Sequence, residues 1–424
     1  MGFIDATLDQ AQPGSVPARS VLVHAGPVRG YEASLPEPLF MNRIVAVAVG
    51  LLLGMTVFLV PELSRLSDAV NPFADFAAFY TAAKSDWRSL YDLDRQYQIQ
   101  SEFAPAPRER MAFYFYPPFF AALFKPLAGL SYGQAFAALT LFDLLLLGIA
   151  LTILIRHLDL SRNQGCWLIF TTFINFAVYF CLLKGQTSFI SLLLLVLYVV
   201  AVNGSTERHY RAGVWTALLC FKPPLAIVPV VVLCVRRYWN ALLTFAICLA
   251  VLGVISIALV GWSGIAAWLE ISKRVASGEA MDYAHNHHNL RAIIYFLAGS
   301  GVRDFIWISV TALLFAVIVA YARRPNCDPT AWAIIWIAAL VSAPYLHFYD
   351  LTLLILPTAF LLKSAEHFAA PVVLGLITLN VLFIAHASLG IATLTSIPLL
   401  AFVIWMVVVD QPFVPAVALG DNTH

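Results

Sequence analysis

Charge is scarce in this chain. Asp, Glu, Lys and Arg make up 12% of its 424 residues, against 61% hydrophobic. That balance excludes a water-facing globule and fits a polytopic membrane protein. A basic excess is missing as well. The formal net charge is +1, and the Lys and Arg residues stand in short clusters between apolar runs, so no nucleic-acid-binding patch can be read. Cysteine is sparse: Cys166, Cys181, Cys220, Cys234 and Cys248 fall within or at the ends of apolar runs and Cys327 in a loop. This spacing gives neither a disulfide framework nor a zinc ligand set. There is also no internal period of roughly 20 to 50 residues, and no pair of broken helices in matching halves as many secondary transporters have.

What is present is a succession of apolar runs. Residues 1–38 carry Pro13, Pro17, Pro27, Pro36 and Pro38 and read as a flexible cytoplasmic tail, too long a leader for a cleaved signal peptide. Residues 39–61 form the first span, with Arg19, Arg29 and Arg43 on its leading side favouring a cytoplasmic N-terminus. Residues 62–112 are then a first outer loop. A helix opening at Asp75 would carry Phe76, Phe79, Tyr80, Ala83, Trp87 and Leu90 as an aromatic stripe suited to the bilayer surface. Residues 113–130, interrupted by Pro117, Pro118 and Pro126 and bearing Lys125, read as a re-entrant segment.

Further spans are expected at 133–156, 166–183, 186–203, 239–261, 303–322, 330–345, 348–363, 369–387 and 390–409. The run 211–236 is broken by Phe221-Lys222-Pro223-Pro224, which makes it a kinked span or a hairpin. The hairpin, taken together with a re-entrant 113–130, puts Arg156/Arg162, Arg208/Arg211, Arg236/Arg237, Arg323/Arg324 and Lys363 all on the cytoplasmic side. The expected fold is an all-α integral membrane bundle of about 10–12 segments. It forms a single domain over 39–410, with a second large outer loop at 262–303 and a cytoplasmic tail at 411–424.

Few polar groups in this setting suggest chemistry. Asp75 suits a general base next to a membrane, or a helix N-cap, although Ala78 three residues on completes no capping box. Lys222 lies inside an apolar run, where an unpaired ammonium costs about 2.5–3.5 kcal/mol. It needs an anionic partner such as a lipid phosphate, or it snorkels to an interface. Asp143 is either paired, with Lys222 as one option, or neutral, or a proton relay in a transporter. Between Tyr283 and Arg291 the chain gathers His285, Asn286, His287, His288, Asn289 and Arg291 outside the membrane. With no Cys and only Asp282 nearby, sugar and phosphate hydrogen bonding is a better reading than a metal. His347 and Asp350, three apart, are a proton-handling pair or a span cap. Lys184-Gly185-Gln186 marks a turn between spans.

The order of these features is recognisable. Asp75-x-x-x-Phe79-Tyr80, Leu90-Tyr91-Asp92, Phe115-Tyr116-Pro117-Pro118 with Leu123 and Pro126-Leu127, Gly185-Gln186 before a leucine run, Lys222-Pro223-x-Leu225 and Pro344 to His347 follow one another. The set resembles glycosyltransferase family 87, the polytopic polyprenol-phosphate-dependent sugar transferases of the GT-C superfamily, over about residues 40 to 410. The resemblance implies inverting, metal-independent transfer of a sugar, mannose in the best-known members. The donor is a polyprenyl-phosphate-linked sugar, no cofactor is used, and the acceptor is a lipid or glycan outside the cytoplasm. By position, Asp75 is similar to the catalytic Asp of the first outer loop and His347 to the active-site His of the late outer loop. Charge and depth make Lys222 the candidate for the lipid phosphate. Tyr116, Lys184, Gln186, His287, His288, Asn289, Arg291 and Asp350 complete the expected donor-binding set.

Two stretches depart from the family pattern. Ser342-Ala-Pro-Tyr-Leu-His347 stands where a Ser-Trp is common, and His287-His288-Asn289 only loosely matches an Asn-Gln-Ser-like loop. Both lie where sugars would be read. The expected location is a bacterial inner membrane with the site facing the periplasm. The competing reading is a transporter or flippase using Asp143 and Lys222.

Overall fold

A computed structural model describes residues 75–409 apart from 106, 109–110, 278–286, 300, 325–326, 366–367 and 390–394. The tails, the first span, Asp282, His285 and Asn286 lie outside the described residues. Those described form an all-α assembly of sixteen α-helices linked by short 3₁₀ turns. In chain order the helices begin with α1 (Phe76–Lys84), α2 (Leu93–Phe103), α3 (Pro118–Ala121), α4 (Tyr132–His157), α5 (Arg162–Ile174), α6 (Phe176–Lys184), α7 (Ser188–Val202) and α8 (Tyr210–Leu219). They continue with α9 (Pro223–Val235), α10 (Trp239–Ser277), α11 (Leu290–Leu297), α12 (Arg303–Ala322), α13 (Pro329–Ser342), α14 (Ile355–Ser364), α15 (Ala369–Leu389) and α16 (Ser396–Val409). A 3₁₀ helix, Phe348–Leu354, leads into α14.

Among the described residues, helices α4, α10 and α12 are each long and apolar enough to cross a membrane, and α5 with α6, bent by 54°, has the length and composition of a broken span or a re-entrant loop. Leu243, Ile247, Val254, Phe305, Ile308 and Leu313 on α10 and α12 stay exposed, as expected of helices whose outer faces meet lipid rather than water. Residues 113–130 contain no long helix, only α3 and a 3₁₀ turn, Lys125–Gly129. The run 211–236 is two short helices meeting at Lys222. The expected outer loop at 262–303 starts as helix, because α10 runs on past a break at Gly261, whose φ of 72° breaks the helical path.

The aromatic stripe of α1 is not on a surface. Phe76 is 0% exposed, Phe79 1% and Tyr80 3%, because the rings of 113–136 and α2 cover it. Phe79 stacks on Phe124 at 4.6 Å, and Tyr80 meets Phe103 edge-on at 4.8 Å. Such pairs add to area burial. Lys125 closes the far end of α1 by donating to the carbonyls of Ala82, Ala83 and Ser85. These are the acceptors a helix C-terminus leaves open.

At the bend between α5 and α6 the backbone loses its helical partners, and side chains replace them. Asn380 Nδ2 donates to the Ile174 carbonyl at 2.7 Å, and its Oδ1 accepts from Phe176 N–H at 3.1 Å. Asn175 Nδ2 donates to the Leu351 carbonyl at 3.1 Å. Helix breaks at membrane depth persist only when so satisfied. Replacing Asn380 by Leu, which strands two buried backbone groups, is expected to cost about 1–3 kcal/mol per stranded group. A lowered melting temperature in detergent would show it.

The basic clusters share one end of the bundle. Lys363 Nζ donates to the Asp159 carbonyl in the α4–α5 turn at 2.9 Å, and Thr330 bonds Ser364. Arg236 lies over the Trp332 ring at 5.5 Å, and His209 stacks on Tyr238 at 4.1 Å. From that end, α8 and α9 reach only about 15–20 Å at 1.5 Å per residue, so Lys222 stands at the turn between two short helices whose far ends meet where His209 stacks on Tyr238. Asp75, Gln186, Lys222 and His347 lie toward the opposite end.

Candidate active site

Toward that opposite end opens a cavity of about 410 Å³, a size suited to a small organic group. Its walls are largely aromatic and apolar, among them Phe115, Tyr116, Phe221 and Trp268, and its charged groups are Lys222 and Asp350. His347, Tyr345 and Tyr349 close another side. The second half of α10 forms one wall, fixed by the Trp268 indole donating to the Phe115 carbonyl at 3.1 Å and by Tyr345 Oη donating to the Val275 carbonyl.

Asp350 organises the polar side. Its Oδ1 accepts from Lys222 Nζ at 2.9 Å and from Ser188 Oγ at 2.6 Å, while Oδ2 accepts from His347 N–H at 3.3 Å. Lys222, with a side chain 12% exposed, therefore has its anionic partner inside the protein. That partner is Asp350 and not Asp143, which replaces the pairing open from sequence. Asp143 is 0% exposed, and neither of its carboxylate oxygens has a hydrogen-bond partner among the described residues. The Lys222 ammonium also lies over the Tyr349 ring at 5.2 Å, a cation–π contact that holds it over the cavity.

His347 and Asp350 close the start of the 3₁₀ helix together: the Asp350 carboxylate takes the His347 backbone N–H, and the Asp350 N–H donates to the His347 carbonyl at 3.0 Å. The cap and site readings thus coexist. The imidazole stacks on Tyr349 at 5.0 Å, with His287 at 4.5 Å behind it. His287 is fully buried. Burial first, then the charges of His347, His288 and Arg291, hold it well below the ordinary imidazole range, so it is a neutral neighbour.

Asp75 stands at the N-terminus of α1 but makes no side-chain cap bond. Its Oδ2 instead accepts from Gln186 Nε2 at 2.6 Å. The carboxylate is near enough to the cavity that its charge acts on the Tyr116 and Tyr349 hydroxyls.

The remaining expected residues are turned elsewhere. His288 is 3% exposed; its N–H donates to the Leu346 carbonyl at 2.7 Å and its Nδ1 bonds Thr395 Oγ1 at 2.9 Å. Asn289, expected to bind sugar, is the N-cap of α11: Oδ1 accepts from Ala292 N–H at 2.9 Å, and Nδ2 donates to the Ala343 carbonyl at 2.9 Å. Both ends of its amide are thus occupied. Arg291 packs on the Tyr295 and Trp307 rings, and Lys184 folds back over Phe180. Sequence reasoning missed Ser188 and the cap role of Asn289. Asn is a preferred N-cap residue, so the second carried a local signal. Among the described residues, no three His, Cys, Asp or Glu side chains gather as a metal's ligands would.

No curated protein and no solved structure matches the chain. The family model described as glycosyltransferase family 87 matches residues 114–357. That stretch carries Tyr116, Gln186, Lys222, His287, His347 and Asp350, with Asp75 upstream of it. The match spans more than half of the 424 residues, and with it the chain belongs to glycosyltransferase family 87, in keeping with its all-α membrane architecture.

Proposed function

We propose that the protein transfers a sugar, mannose in the first instance, from a polyprenyl-phosphate carrier to an acceptor hydroxyl on a lipid or glycan. The observation that supports this reading most is a cavity lined by Lys222 and His347, with a separate carboxylate, Asp75, beside it. Asp75 takes the proton of the acceptor hydroxyl. The freed oxygen attacks the anomeric carbon from the face opposite the phosphate, so the new C–O bond forms with inversion. The sugar–phosphate bond breaks, and its electron pair leaves with the polyprenyl phosphate.

The leaving group is already an anion and needs charge stabilisation more than a proton. Lys222 and His347 are the groups to supply it. Asp350 keeps the ammonium charged and in place before a donor arrives. In this reading no cofactor takes part, and the site faces the periplasm of a bacterial inner membrane. Tyr116 and His287 shape the donor pocket.

The test is transfer by purified full-length protein in liposomes holding polyprenyl-phospho-mannose labelled in the sugar. Label passing to an added lipid or glycan acceptor, with a nucleotide sugar failing as donor, is the expected result. Use of the nucleotide sugar instead, or movement of the labelled lipid between leaflets with no transfer, would overturn it. The second outcome would favour a flippase.

A further inference from the structure

We propose that the Gly185–Gln186 turn is the device that positions Asp75, and that Gln186 acts through the carboxylate and not on the sugar. This rests on Asp75 serving as the base.

Two independent contacts carry the inference. The first is the bond from Gln186 Nε2 to Asp75 Oδ2, at 2.6 Å. An ionised carboxylate only accepts, so the amide must face it with nitrogen, which fixes the orientation of Gln186. The second is steric. Gly185 ends α6 with φ of 62°. Its N–H donates to the Leu182 carbonyl at 3.1 Å, and Gln186 N–H donates to that of Cys181 at 2.9 Å. This pattern is a Schellman cap, which favours glycine for its left-handed backbone. A Cβ at position 185 would sit 2.6 Å from Phe76 Cβ and 3.0 Å from the Phe136 ring. Phe76 directly follows Asp75, so the bare glycine is where the first turn of α1 leans on the α6–α7 turn.

One turn thus fixes both the backbone beside the base and one of its two oxygens. Oδ2 is held by the amide, which leaves Oδ1 for the acceptor hydroxyl. Gln186 is 3% exposed and does not line the cavity, as a residue working through Asp75 requires.

The experiment measures kcat and KM separately for donor and acceptor, with full-length protein and a labelled polyprenyl-phospho-mannose. Gln186→Leu removes the bond. Gln186→Glu keeps the shape but turns an acceptor toward the carboxylate, and it covers the case in which the leucine variant does not fold. Both are expected to lower kcat about 10- to 100-fold with KM for both substrates unchanged, since a misplacement near 1 Å costs on the order of 10² in rate. Gly185→Ala, which acts on the same carboxylate through Phe76, is expected to do likewise.

In an Asp75→Asn background, Gln186→Glu is expected to cost nothing more. Wild-type kcat in folded Gln186→Glu would overturn the proposal. So would a raised donor KM at constant kcat, which marks a sugar contact, or a further loss in the Asp75→Asn background. Failure of the base reading looks different: Asp75→Asn itself would then turn over like wild type, and the proposal would fall with it.

Discussion

Asp75→Asn is expected to lower kcat for sugar transfer by about 10²–10⁴-fold, the usual share of a general base, while donor KM stays near wild type. Asparagine keeps the size of the side chain and an oxygen that can still accept from Gln186, so the contact at 2.6 Å has a replacement. What is lost is the capacity to take a proton. A fall confined to kcat marks an interaction made only in the transition state. Initial rates with purified protein and saturating donor give the number, and turnover within about twofold of wild type would remove Asp75 from the chemistry.

The second large effect is on stability. Asp350→Ala is expected to destabilise the protein by about 3–5 kcal/mol, the range found when one member of a buried ion pair is removed. Three donors lose their acceptor at once: Lys222 Nζ, Ser188 Oγ and His347 N–H. The Lys222 ammonium is left charged in an aromatic wall. Replacing Lys222 by Met together with Asp350 by Leu should recover most of that loss, since an apolar pair of similar volume is often no worse than a buried ion pair. It should not restore transfer. Unfolding in mixed micelles, set beside the transfer assay, separates the two. A single Asp350→Ala as stable as wild type would mean the pair contributes nothing net.

The helices were the legible part of this fold. Spans predicted at 133–156, 186–203 and 303–322 meet helices Tyr132–His157, Ser188–Val202 and Arg303–Ala322, because lipid leaves little choice for an apolar run of that length. The bend at Asn175 was not legible, since it depends on Asn380, some two hundred residues later. The same holds within the site. Asp75, Lys222, His347 and Asp350 stand out as polar groups in apolar surroundings, yet which one meets which is a matter of packing. Gln186 read as a sugar ligand because a turn beside a leucine run says nothing about a helix 111 residues earlier. The burial of the aromatic stripe of α1 is hidden from sequence for a related reason: its period shows that one face is apolar, not whether lipid or other rings will cover it.

Lys222 and Asp350 are 128 residues apart, and that separation matters while the chain is being made. At about 5–20 residues per second, synthesis delivers Asp350 roughly 6–26 s after Lys222. In that interval the carboxylate it pairs with in the folded protein has not yet been made, and holding an unpaired ammonium in hydrocarbon is costly. A lysine in the middle of one continuous span would have to endure that. At the turn between two short helices, the Lys222 charge lies beside freed backbone groups, which need polar or water partners of their own. The helix break at Lys222 thus bears on the order of synthesis as well as on the geometry of the finished site.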